Sequence, residues 1–264
     1  MILSTAHIFD RLRGLTGLDL FSQRRCAVCA GLMRRRHNHL EKNGASGWTL
    51  FLCPECRLEL EALRTKEHCL TCPRPSFSAH ICDYCRIDPP PWLSFSFFGR
   101  YRGLLRQLLL NYKFSGMLPA NRLIQAMLLA AYDNGEKKRG GGAPALADVI
   151  APVPMHKGRL RRRGHNHSLE MARLLAKKSR MELCPEAISR IMPTIPQTGL
   201  KKRERLLNVR DMFVADEKLV GGRHVLLVDD IMTTGATITE SCKAILLAGA
   251  ASVRVTVIGV TPFY

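Results

Sequence analysis

Hydrophobic residues repeat with different periods along this chain, and each period predicts an element. Trp92 to Tyr101 (WLSFSFFGRY) alternates aromatic and small polar positions, the period of a strand. Leu104, Leu105, Leu108 and Leu109, then Leu123, Met127 and Leu128, recur at helical spacing and predict two amphipathic helices broken near Gly116 and Pro119. Asn134 to Pro144, with Lys137-Lys138-Arg139 and Gly140-Gly141-Gly142, predicts a solvated loop. From Asp148 strand and helix alternate. Val149 to Val153 is a short apolar strand, and His165 to Arg180 a helix with Asn166 as N-cap and Leu169, Ala172, Leu175 and Ala176 on one face. His224 to Val228 is a continuous apolar run, as a strand buried on both faces requires. A helix at Ala236–Leu247, ended by Gly249, and a strand at Ser252–Val260 complete the order. Such an order predicts an α/β fold with a parallel sheet flanked by helices and right-handed crossovers.

Before Trp92 the pattern carries cysteines instead of periodicity. Eight of the ten Cys form CxxC pairs: Cys26/Cys29, Cys53/Cys56, Cys69/Cys72 and Cys82/Cys85. A CxxC turn aims two thiolates at one point, half of a tetrahedral zinc site, so four pairs supply two structural Zn²⁺ sites. Sequential pairing and a cross-braced pairing both fit the spacing. His37, His39, His68 and His80 lie nearby and are read as surface residues, because eight thiolates already fill two tetrahedra. Cys184 and Cys242 stand alone, Cys242 as a small buried hydrophobe.

The pattern divides the chain into a helical leader at 1–25, a zinc module at 26–88 and an α/β domain at 92–264, with Asp88-Pro89-Pro90-Pro91 as a stiff break. Asp10, Arg11 and Arg13 interrupt the leader's apolar residues, so no secretory signal is expected. No run reaches the roughly 18 apolar residues of a membrane span. Cytoplasmic localisation without membrane insertion is the expectation.

Charge adds one constraint. Lys and Arg number 40 against 22 acidic residues, a net charge of +18. Such an excess suits polyanions: nucleic acid, phosphorylated metabolites or acidic lipid. Arg24-Arg25, Arg34-Arg35-Arg36 and Lys157 to Arg163 could form a basic track, with Trp48, Tyr84 and Trp92 as candidates for stacking on bases.

The most informative stretch is Val225-Leu226-Leu227-Val228-Asp229-Asp230-Ile231-Met232-Thr233-Thr234-Gly235-Ala236-Thr237. An apolar strand ends in two carboxylates, a loop of small residues follows, and a helix begins. Ligands of open α/β sheets bind at the carboxyl ends of strands. Thr233, Thr234 and Thr237 offer hydroxyls, Gly235 lets backbone amides close on a phosphate, and the helix N-terminus adds its dipole. Asp229 and Asp230 repel phosphate and suit the hydroxyls of an attached ribose. A second loop, Met155 to Asn166, carries His156, Lys157 and Arg163 before a helix and suits pyrophosphate. A third segment, Gln197 to Arg210, is polar and basic and reads as a lid.

The 225–237 stretch resembles the phosphoribosyl-pyrophosphate (PRPP) loop of type I phosphoribosyltransferases. That resemblance implies that Asp229 and Asp230 hold the ribose 2′- and 3′-hydroxyls and act as the catalytic pair, and that Thr233 to Thr237 hold the 5′-phosphate. The whole order resembles the ComF-type proteins, a double zinc ribbon joined to a phosphoribosyltransferase domain. Its marks are the CxxC array, Tyr112-Lys113-Phe114 with Gly116, Pro152-Val153-Pro154 with Arg162-Arg163-Gly164, Gln197 with Arg205 and Asn208, and Asp229 to Thr237. His165-Asn166-His167 departs from the expected Phe-Asn-Gln. The resemblance implies Mg²⁺-bound PRPP as ligand, and single-stranded DNA and other DNA-uptake proteins as partners in natural transformation. The alternative is an active phosphoribosyltransferase of nucleotide metabolism whose acceptor the residues leave unnamed.

Overall fold

The structure, a computed structural model, describes residues 24–33, 47–65, 67–76, 80–115, 118–139, 147–155, 158, 160–161, 166–191 and 212–261. Its first elements are small. Strand β1 (Arg24–Arg25) pairs antiparallel with β2 (Leu32–Met33), a 3-10 turn spans Gly47–Phe51, and helix α1 (Pro54–Ala62) follows. Helix α2 (Asp83–Ile87) carries Cys85 of the last CxxC pair and has Cys82 as its N-cap.

Then come β3 (Ser94–Arg100), α3 (Gly103–Ser115), α4 (Leu118–Arg139), β4 (Val149–Pro152), α5 (His167–Ser179) and β5 (Glu182–Leu183). A hairpin of β6 (Ile188–Arg190) and β7 (Phe213–Ala215), the short α6 (Glu217–Val220), β8 (His224–Met232), α7 (Ala236–Leu247) and β9 (Ser252–Val260) complete the order. The main sheet runs β3-β9-β8-β4-β5, and every pairing in it is parallel. Leu226 and Val228 of β8 enter the core formed with α3, α4 and α5, whereas Val225 and Leu227 enter the core that holds Ile238, Cys242 and Ile245 of α7. Both faces are therefore covered, which is why this strand reads as an unbroken apolar run.

Three expectations shift. The strand at 224 continues through both acids to Met232, because Asp229, Ile231 and Met232 stay in register with Val257, Gly259 and Val260 of β9. The predicted loop from Asn134 is helical as far as Arg139, and Pro119 lies inside the first turn of α4, where its missing N–H costs nothing. Gly135 marks a packing contact here: a Cβ would lie 2.7 Å from the Ser96 Cβ of β3. On α5 the core face is Met171, Ala172, Leu175 and Ala176, with Leu169 only half-buried.

The cysteine-rich segment docks on the edge of the sheet. The Arg100 N–H donates to Leu63 O at 2.9 Å, the Phe95 N–H to Leu70 O at 2.8 Å, and the Trp92 indole N–H to Thr71 O at 2.7 Å. The two backbone bonds occupy the outer side of β3, an edge strand that would otherwise present open backbone groups. Trp48 is fully buried, edge-on to Phe98 with centroids 4.9 Å apart. Trp92 is buried too, so neither tryptophan is available to stack on a base. His68 is likewise buried, its ring 4.5 Å from Phe97 and Nδ1 2.8 Å from Cys69 O, which corrects its reading as a surface residue. His80 is exposed; His37 and His39 lie outside the described residues. Among the described residues no helix is long and apolar enough to cross a membrane.

Candidate functional site

Backbone turns bring the eight thiols together in two groups. Cys26, Cys29, Cys53 and Cys56 form one, Cys69, Cys72, Cys82 and Cys85 the other, with the sulfurs of each group within 4.8 Å of one another. The pairing is sequential, so the cross-braced alternative falls. In each group the second pair sits on a helix start, with Cys53 as the N-cap of α1 and Cys82 that of α2. Cys29 Sγ and Cys53 Sγ are 3.7 Å apart, as are Cys72 Sγ and Cys82 Sγ. Four sulfurs about 2.3 Å from one Zn²⁺ would stand about 3.8 Å apart, so the geometry fits a tetrahedral ion.

The hydrogen bonds fit as well. The Thr71 and Cys82 N–H groups donate to Cys69 Sγ at 3.4 and 3.3 Å. Burial pushes the Cys69 thiol up, but these donors and the Thr71 hydroxyl outweigh it and bring it to about 6. Burial likewise opposes ionisation of Cys26, and N–H groups of Cys29, Cys53 and Val28 overcome it, to about 7. Cys56 and Cys72 are pushed up, first by burial and then by neighbouring sulfurs. Four adjacent thiols cannot all ionise alone; a divalent cation removes that conflict.

The second candidate lies at the carboxyl ends of β4 and β8. β4 leads through α5 to β5, and β8 leads through α7 to β9 on the other side of the sheet. Strand order thus reverses between these neighbours and opens a crevice at their ends, where ligands of such sheets bind. Thr233, Thr234 and Gly235 form the loop after β8. Gly235 has φ +81°, in the left-handed region, and is the N-cap of α7 with no side-chain cap. A Cβ there would also approach Met232 Cε at 3.0 Å. Thr234 Oγ1 accepts from the Ala236 N–H at 3.4 Å, and Thr261 Oγ1 donates to Thr233 O at 2.9 Å, so the loop is tied at both ends. Thr237 is half-buried in the first turn of α7.

Asp229 and Asp230 are both half-buried at the foot of this loop. Asp229 Oδ1 accepts from the Ser168 hydroxyl at 2.8 Å and from the Asp230 N–H at 2.9 Å. Asn166 caps α5 by accepting from the Ser168 N–H at 3.1 Å. Tyr112 of α3 is buried with its ring 4.5 Å from His167. Burial first, then the charges of Glu170 and Asp230, push its phenol up to about 12. Arg161 is exposed, whereas His156, Lys157 and Arg163 and the 197–210 segment lie outside the described residues. Ser168 was not legible as a site residue: a serine one position into a helix is ordinary, and only its reach of 61 residues to Asp229 sets it apart.

Residues 141–259 match the family described as "Phosphoribosyl transferase domain", a span that contains β4, β8, the acid pair and the loop after it. The chain is similar to DNA utilization protein YhgH of Escherichia coli K12, 32% identical over 76% of this chain and 87% of that protein. It is similar to Competence protein F of Haemophilus influenzae, 26% identical over 88% of this chain and 94% of that protein. It also resembles Competence protein ComFC of Bacillus subtilis, 26% identical over 76% of this chain and 80% of that protein.

Proposed function

We propose a function from one premise: the chain belongs to the ComF family, in which a double zinc ribbon precedes a phosphoribosyltransferase domain. The crevice between β4 and β8 binds PRPP with Mg²⁺. Asp229 and Asp230 take the ribose hydroxyls, and Thr233, Thr234, Gly235, Ala236 and Thr237 take the 5′-phosphate. His156, Lys157 and Arg163 take the pyrophosphate. The carrying observation is the placement of two adjacent carboxylates, then a tied Thr-Thr-Gly loop and a helix start whose N-cap is glycine, at the point where strand order reverses. Mg²⁺ supplies neutralisation of the pyrophosphate charge. Residues 26–88 hold two structural Zn²⁺ ions and 92–264 form the PRPP-binding domain.

Phosphoribosyl transfer follows from the same pocket. A nucleophile bonds to the anomeric carbon as the bond to pyrophosphate breaks, and the acid pair fixes the ribose while positive charge develops on its ring. Calorimetric titration of PRPP with Mg²⁺ tests the pocket. Saturable binding and a raised melting temperature are expected; no heat and no shift would overturn the reading.

The relatives' names place them in DNA utilization and competence. With a net charge of +18 and an exposed Arg25 and Arg161, the same role is proposed here, through single-stranded DNA and other DNA-uptake proteins. Oligonucleotide affinity should fall with salt at a slope of about −0.7 per phosphate contact. Replacing Arg161, Arg162 and Arg163 by Ala should flatten that slope by roughly two. A slope indifferent to the triple change means that these arginines do not touch the strand.

A further inference from the structure

The two halves of the crevice come from different strands, and one short segment joins them. Asn166 Nδ2 donates to Val153 O, just past the end of β4, at 3.5 Å. Its Oδ1 accepts the Ser168 N–H at 3.1 Å, and the Ser168 hydroxyl then crosses to Asp229 Oδ1 on β8 at 2.8 Å. Ser168 is 6% exposed, so its hydroxyl competes little with water. The Tyr112 ring against His167, 4.5 Å between centroids, holds the same helical turn from the α3 side.

We infer that Ser168 is a positioning residue for the acid pair, and that the first turn of α5 couples the β4 half of the crevice to the ribose end; the inference rests on the PRPP reading of that crevice. The Ser168 hydroxyl and the Asp230 N–H converge on the same Asp229 oxygen, so rotating the carboxylate breaks both bonds. The Asp230 N–H bond is local to the strand and cannot by itself set the side chain against a ligand. The Ser168 bond comes from a separate element and fixes the carboxylate relative to the loop after β4. A hydroxyl donating to an ionised carboxylate is stronger than a neutral pair. Tyr112, one of the family marks, buttresses the turn that delivers Ser168. The departure at His167 falls at this buttress, where an imidazole lies against the phenol ring.

The experiment titrates zinc-loaded, full-length protein with PRPP and Mg²⁺, and separately with inorganic phosphate. S168A should weaken PRPP about tenfold, as expected for loss of one hydrogen bond to a charged group. S168T, which keeps the hydroxyl, should recover most of that loss. Inorganic phosphate, which makes no ribose contact and needs the Thr233–Thr237 stretch instead of the acid pair, should bind S168A and wild type alike. S168A binding PRPP as tightly as wild type would overturn the inference, as would S168T failing to recover the loss. Equal weakening of phosphate would reduce Ser168 to a structural part of α5 and overturn it too. If S168A does not fold, S168C carries the measurement, with a loss of a few-fold expected for its weaker donor. Wild-type protein that ignores PRPP defeats the functional reading itself; wild-type binding with S168A unaffected defeats the positioning role alone.

Discussion

Purified protein should contain about two zinc ions per chain, and stripping them should lower the melting temperature of the whole chain, with the cysteine segment and the sheet unfolding together. The reason is a shared core. Cys26, Trp48, Leu52, Leu60 and Leu63 belong to the same buried cluster as Phe98, Leu105, Met127 and Leu128. The 3-10 turn that carries Trp48 packs on α4, and the segment covers the edge of β3. A cysteine group without its ion leaves four sulfurs in mutual contact, with only hydrogen bonds to close the turns around them. Binding a structural Zn²⁺ contributes about 10–16 kcal/mol in isolated finger peptides. Even about 5 kcal/mol lost from 264 residues, at roughly 2.1 cal/mol/K per residue, corresponds to a fall of roughly 9 °C. C53S should release about one zinc per chain and reproduce much of this shift. Scanning calorimetry before and after chelation, with metal analysis alongside, is the measurement. An α/β portion that melts at its original temperature after chelation would show two independent units.

Periodicity and spacing made much of this fold readable, and the exceptions have physical causes. β8 and α7 could be read because a run buried on both faces and a helix ended by glycine are strong local signals. The end of α4 was hidden because Gly135 suggests a loop, whereas here it admits Ser96 of a distant strand. Spacing alone left the thiol pairing open, since CxxC units 23 and 9 residues apart close in either arrangement; only the fold brings the sulfurs of sequential pairs together. The acid pair was visible as a motif. Its support from Ser168 was not, because a contact between a helix start and a strand end 61 residues away has no local signature. The docking of the cysteine segment on β3 was masked for a similar reason: Pro89 to Pro91 read as a break, yet Trp92, immediately after it, reaches back to Thr71.

D229N/D230N protein should lose PRPP binding while keeping its fold. Each carboxylate can accept two or more hydrogen bonds from ribose hydroxyls, and an amide replaces one acceptor oxygen by a donor. Loss of two charge-assisted contacts at about 1.5–3 kcal/mol each weakens binding by roughly two to four orders of magnitude. Stability should change little, because both side chains are half-buried at a strand end outside the two apolar clusters. One local cost is expected. At position 229 the Asn amide either keeps its carbonyl toward the Ser168 hydroxyl or turns its NH₂ there, and the weaker neutral bond loosens the start of α5. The net charge rises from +18 to about +20, since two acids become neutral. Any binding to polyanions should therefore hold or strengthen, which separates a ribose-specific loss from a general loss of anion affinity. The measurement is the thermal shift with PRPP and Mg²⁺, followed by oligonucleotide titration of the same protein. The expected result is no shift with PRPP and undiminished affinity for the strand. A double variant that retains the full PRPP shift would remove these acids from the ribose site.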